Sequence, residues 1–186
     1  MPEEKLQKLQ DSGLVEWSVF SEIVAMDEDE EGFSHSLFET FVSQVEETFE
    51  EIDNYLKEKN LEKLSSSGHF LKGSAAALGL AKIANQCERI QNYGHKINFD
   101  NFQLTDITAG KPSTTNSNDL KVHEDADNTT TTSTKEEEDN TKSNSDESNI
   151  PDESSDDFWI ALIQDALSKA RDLFEKSREA IEEYYE

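Results

Sequence analysis

Apolar positions return at steps of three and four along most of this chain, the spacing that lines one face of an α-helix. The clearest run lies at 33–58, where Leu37, Phe38, Phe41, Val42, Val45, Phe49, Ile52 and Leu56 keep that interval and Glu and Gln fill the opposite face. A shorter helix is predicted at 14–26 from Trp17, Phe20, Ile23 and Val24, ending in the acidic run Asp27-Glu-Asp-Glu-Glu31 before Gly32. Asn60 is placed to cap a helix over 60–78, and Gly79 to end it with a positive φ. Along that helix Leu61, Leu64, Gly68, Leu71, Ala75 and Leu78 form one inward stripe. Leu80, Ile83, Cys87, Ile90, Gly94 and Ile97 repeat the stepping over 80–98, so this segment should lie antiparallel to the one before it. Ile160, Ile163, Leu167, Ala170, Phe174 and Ile181 mark a last helix over 157–185. No segment alternates with period two, and proline is absent from all five. The expectation is an all-α fold, an antiparallel four-helix bundle with a short extra N-terminal helix, in one domain over residues 1–186.

Composition changes that picture at one place. Residues 100–157 hold 16 acidic against 4 basic residues, and no aromatic side chain occurs from 103 to 157. Such a stretch buries too little apolar surface to offset its ordering entropy, so 100–156 is predicted to be a long acidic disordered insertion before the last helix. The net charge of -25 also argues against nucleic acid as a partner, since a phosphate backbone selects clustered Lys and Arg. No stretch has the ~20 apolar residues that span a bilayer, and the opening Met-Pro-Glu-Glu-Lys leads into no apolar run, so no membrane partner is expected. The expected location is intracellular, in cytoplasm and nucleus, where the sequon at Asn128 is a chance match.

Little of the remaining chain suggests chemistry. The single cysteine, Cys87, permits no internal disulfide and sits on an inward stripe, which favours packing over reactivity. The run from Asp27 lacks the alternate carboxylates and closing Glu of a calcium loop. His35, His69, His95 and His123 show no metal-ligand spacing, so no metal site is expected. His69 is the exception. It falls opposite the stripe of its helix, with Ser65, Lys72, Gly73 and Ala76 as neighbours one or two turns away. An imidazole, with an ordinary pKa of ~6.5, is largely neutral at cytosolic pH, so a ring nitrogen can attack phosphorus with no separate base. Lys72 could balance phosphoryl charge, Gly73 leaves an in-line approach unobstructed, and Gln91 on the next helix could hydrogen-bond near the ring. Two other readings stand beside this one. An ordinary surface histidine on an acidic helical adaptor, of histone-chaperone type, would suit the charge. A bundle enzyme using His69 as general base would need an acid and a pocket that the sequence does not display.

The segment His69-Phe-Leu-Lys-Gly-Ser-Ala-Ala-Ala-Leu-Gly-Leu80, followed by Cys87-Glu-Arg-Ile-Gln-Asn92, resembles the signature of histidine-containing phosphotransfer (HPt) proteins, in particular the fungal osmosensing phosphorelay intermediates. The likeness extends more loosely over Trp17 to Phe41 and through Tyr184-Tyr185. It implies a monomeric bundle that takes a phosphoryl group from the receiver aspartate of a hybrid sensor histidine kinase and passes it to response-regulator receiver domains. His69 would be the phosphoacceptor, Lys72 would stabilise the phosphate, Gly73 would clear the approach, and Ser74 and Gln91 would shape the surroundings. Receivers would dock on Val19, Ile23, Met26, Phe33, Leu37 and Phe38. The resemblance implies a carrier without kinase turnover of its own and without a bound cofactor, Mg2+ belonging to the partner receiver. In one departure, His95 stands where the budding-yeast relative has arginine, leaving a charge there weaker or supplied by Lys96.

Overall fold

Local chemistry sets the ends of the helices. In the computed structural model, which describes residues 3–108 and 151–186, the Asn60 side chain accepts a hydrogen bond from the Lys63 N–H at 3.1 Å and opens the helix Leu61–Ala77. Gly79 ends it at φ +74°, a conformation that side chains avoid, and a Cβ there would lie 2.8 Å from the Glu16 carbonyl. Ser155 caps the last helix by accepting from the Asp157 N–H. In chain order the elements are α1 (Glu3–Asp11), α2 (Trp17–Ala25), a 3-10 turn (Met26–Glu28), α3 (Phe33–Lys57), α4 (Leu61–Ala77), α5 (Ala81–Gly94), α6 (Leu104–Thr108) and α7 (Asp156–Tyr185). No strand occurs among the described residues.

The four long helices form the bundle in the cyclic order α3, α4, α5, α7, each packed on its two neighbours. Phe20, Phe38, Ile52, Leu64, Leu71, Leu80, Ile90 and Leu162 are fully or almost fully buried in one continuous core. Each such side chain contributes roughly 1.5–3 kcal/mol relative to exposure. The α4–α5 contact is the closest. A Cβ on Gly68 would lie 2.7 Å from the Gln91 nitrogen, and one on Gly94 would lie 2.7 Å from the Leu61 carbonyl. Two glycines facing opposite ways therefore let the backbones meet, and Ser65 fills the gap by donating to the Gln91 carbonyl at 2.8 Å. Cys87 is buried beside this contact, and burial pushes its thiol up to about 12, so it stays protonated and acts as packing.

Several boundaries differ from the sequence reading. The helix predicted over 14–26 is shorter and tightens into the 3-10 turn at Met26. The helix predicted over 80–98 stops at Gly94, because Lys96 turns to φ +60°, and Ile97 is left exposed instead of joining the inward stripe. Helix α1 was not anticipated; it packs Leu9 inward and pairs Lys8 with Glu183 on α7.

The predicted insertion at 100–156 has packed flanks, while 109–150 lies outside the described residues. Phe102 is buried and α6 rests on α7. The anchor is Arg89, whose side chain is wholly buried and paired with Asp100 and Asp165 at 3.1 Å each. It also donates to Tyr93 Oη and Gln86 Oε1 and stacks over the Phe102 ring at 4.4 Å. A buried guanidinium with all these acceptors is satisfied, which is the condition for tolerating its charge inside.

Candidate functional site

The inward stripe of α4 leaves His69 on the outer face, exposed, followed by Phe70, which is 46% exposed. Among the described residues no hydrogen bond or ion pair engages the His69 ring. The other described histidines sit elsewhere: His35 lies against the Tyr185 ring at 4.7 Å, and His95 lies just past the end of α5.

One turn along α4, Lys72 projects toward α5, and its Nζ lies 2.7 Å from Glu88 Oε1. Both side chains are more than a third exposed, so solvent screens the pair and it is readily exchanged. Gly73 is exposed, and a Cβ built on it meets nothing within 4 Å. The chain itself therefore does not require glycine there; the open space is on the outside, where a partner would come. Ser74 donates its hydroxyl to the Phe70 carbonyl at 3.1 Å, bonding back within its own helix. Gln91 is half-buried on α5, one turn beyond Glu88, with its carbonyl held by Ser65. Lys72 on α4 thus meets Glu88 on α5 across the glycine-mediated contact, with His69 one turn before Lys72 and Gln91 one turn after Glu88.

One neighbour expected from the sequence is placed otherwise. Ser65 is 2% exposed and belongs to the α4–α5 contact instead of flanking His69 in solvent. Lys96, just past the end of α5, pairs with the exposed Asp156 at the start of α7 at 2.7 Å. The sequence reading missed Glu88 because it is one acidic residue among many, and only the rotation of α5 against α4 brings it to Lys72.

The expected docking residues separate into two groups. Ile23 and Phe38 belong to the core, at 8% and 2% exposure, and offer little surface of their own. Met26 and Leu37, at 50% and 38%, are exposed, and Val19 and Phe33 are half-buried. Leu37 and Ser74 line one shallow cavity of about 180 Å³ between α3 and α4, so an exposed apolar position on α3 adjoins the residue after Gly73. Val19 approaches the C-terminal end of α4, its Cβ 3.2 Å from where a Gly79 Cβ would lie. The 3-10 turn that presents Met26 is braced from behind. Asp27 accepts from the Ser34 N–H at 2.7 Å and from its hydroxyl at 2.5 Å, and Tyr185 donates to the Ser34 hydroxyl at 2.7 Å.

The family model described as Hpt domain matches residues 36–109. The chain is 72% identical, over the full length of both proteins, to the phosphorelay intermediate protein YPD1 of Candida albicans. It is 33% identical to that of Saccharomyces cerevisiae over 94% of this chain and 95% of the relative. The fold is similar to the crystal structure of the yeast phosphorelay protein YPD1, with a TM-score of 0.62 at 30% identity, covering 92% of this chain and 94% of that one. It is equally similar, at 0.62 and 33% identity over the same shares, to Saccharomyces cerevisiae Ypd1 co-crystallised with the receiver domain of its downstream response regulator Ssk1. Identity sustained over the whole length, on a helical bundle of the same fold, places this chain in the histidine phosphotransfer (Hpt) family, among its phosphorelay intermediates.

Proposed function

We propose that His69 is the phosphoacceptor through which this relay protein takes a phosphoryl group from the receiver aspartate of a hybrid sensor histidine kinase and hands it to response-regulator receivers. The observation that carries this reading is an exposed imidazole with a cation one turn away and a side-chain-free position beside it. The lone pair of one ring nitrogen attacks phosphorus as the acyl P–O bond breaks, and the aspartate leaves as carboxylate with the bonding pair. The other nitrogen keeps its proton, so no base is consumed, and the reverse step returns the phosphoryl group to a second receiver aspartate. The charge on the moving group is met from this side by Lys72, and Gly73 keeps the in-line path open. Mg2+ belongs to the partner receiver, and the chain acts as a carrier without kinase turnover of its own.

Docking uses the exposed apolar positions Met26 and Leu37, with Val19 and Phe33 at their edge. The receiver bound to Saccharomyces cerevisiae Ypd1 supports a receiver domain as the partner class. The test is incubation with a phosphorylated receiver domain and Mg2+. Wild type is expected to gain acid-labile phosphate and His69→Gln to gain none. Unlabelled wild type would favour an adaptor without transfer.

A further inference from the structure

We infer that Glu88 is a positioning residue that competes with the phosphoryl group for Lys72 and thereby keeps the phosphohistidine from becoming too stable to pass on. The inference rests on the assignment of His69 as phosphoacceptor. Lys72 sits one helical turn from His69, on the same face of α4, yet its ammonium is engaged by the Glu88 carboxylate across the α4–α5 contact at 2.7 Å. A lysine has three N–H donors and a flexible stem, so it can turn from the carboxylate toward an incoming phosphoryl group, or bridge both.

The exchange is close to balanced for a physical reason. A phosphoryl group carries more charge than a carboxylate, about -1.5 to -2 near neutrality against -1, so it is the stronger partner for the ammonium. Glu88 is already in place, however, and is held near the site by α5, whose backbone is fixed to α4 by Gly68, Gly94 and Ser65. The pair is screened because both side chains are more than a third exposed, so breaking it is easy and reversible. A carrier has to accept and to donate the same group. If nothing opposed the ammonium, Lys72 would favour the phosphorylated carrier over both receivers; with Glu88 pulling it back, the phosphoryl group is held less firmly. Glu88 acts only through Lys72 in this scheme and does not touch the reacting atoms.

The experiment compares wild type, Glu88→Gln, Lys72→Ala and the double variant as full-length proteins. Each is loaded from a phosphorylated receiver domain with Mg2+, and two quantities are read. One is the half-life of the isolated phosphohistidine; the other is the equilibrium division of label between carrier and receiver. Glu88→Gln is expected to lengthen the half-life and shift the division toward the carrier, each by about two- to fivefold, the range set by one screened ion pair. In the Lys72→Ala background the same substitution is expected to change neither. Thermal unfolding of all four proteins separates loss of fold from loss of control. The inference is overturned if Glu88→Gln leaves both quantities unchanged, if it shortens the half-life, or if its effect is the same size without Lys72. Unlabelled wild type would instead remove the phosphoacceptor assignment, and this inference with it.

Discussion

Gly68 and Gly73 lie five residues apart on α4 and serve opposite sides of the helix. A methyl group on Gly68 would press on backbone, 2.7 Å from the Gln91 nitrogen and 2.8 Å from the Cys87 carbonyl, and backbone in a packed bundle cannot step aside. Gly68→Ala is expected to destabilise the protein by about 1–3 kcal/mol, as overpacking does. Gly73→Ala meets nothing and removes a flexible helix residue, so stability should rise by about 0.5–1 kcal/mol. Denaturant unfolding measures both, and a larger residue such as Leu at 73 should slow transfer from a receiver while the midpoint holds. Equal destabilisation at both positions would contradict the division. His69 was readable as an outward residue because the three-and-four stripe fixes the other face. Ser65 was not, since polarity alone places a serine outside, and only a glycine-made gap with a free carbonyl draws it in. Ile23 and Phe38 show the converse limit: an apolar residue on a helix near a binding surface can face the core or the partner, and sequence spacing does not distinguish the two.

The bundle helices were legible because each carries a long apolar stripe and recognisable ends. Helix α1 was not, with only Leu6 and Leu9 as apolar residues in nine; its place on α7 is decided by tertiary contact. The α5–α6 connection was hidden for a different reason. An acidic composition reads as unpacked chain, and Asp100 becomes structural only because Arg89 is buried opposite it. Arg89 also reaches Asp165 on α7, so one guanidinium ties α5, the connection and α7 together. Arg89→Ala leaves the nearly buried Asp100 carboxylate without a cation, while Asp165 keeps Lys169 at 2.9 Å, and is expected to destabilise by about 3–5 kcal/mol in denaturant unfolding. A loss below about 1 kcal/mol would show that the network does not hold this corner. Substituting Asp100 by Asn in the same background should recover part of the loss, because the charge left without a cation is then gone.

At the scale of the whole molecule the charge of -25 sets the background, and the tyrosines set the alkaline limit. Burial is the main cause that pushes the Tyr185 hydroxyl up to about 12, and Tyr184 and Tyr93 are shifted upward too, also chiefly by burial. A phenol with its pKa raised on folding binds its proton more tightly in the native state. Its contribution is therefore fully present below the unfolded value of about 10 and is lost as pH rises through the folded value. Unfolding free energy is expected to fall between about pH 10 and 12, and Tyr185→Phe to make that decline shallower while losing the hydrogen bond to Ser34 at neutral pH. An identical alkaline slope in the variant would exclude Tyr185 as a contributor. That bond also braces the turn presenting Met26, so the end of α7 is joined to the proposed docking surface.

In the proposed relay, one outward imidazole on α4 receives the phosphoryl group. The most direct measurement is to load the wild-type protein from a phosphorylated receiver, digest it under alkaline conditions and locate the acid-labile phosphate by peptide mass spectrometry. The expected result is modification confined to His69. Label on His35, His95 or His123, or label that survives His69→Gln, would remove His69 as the phosphoacceptor.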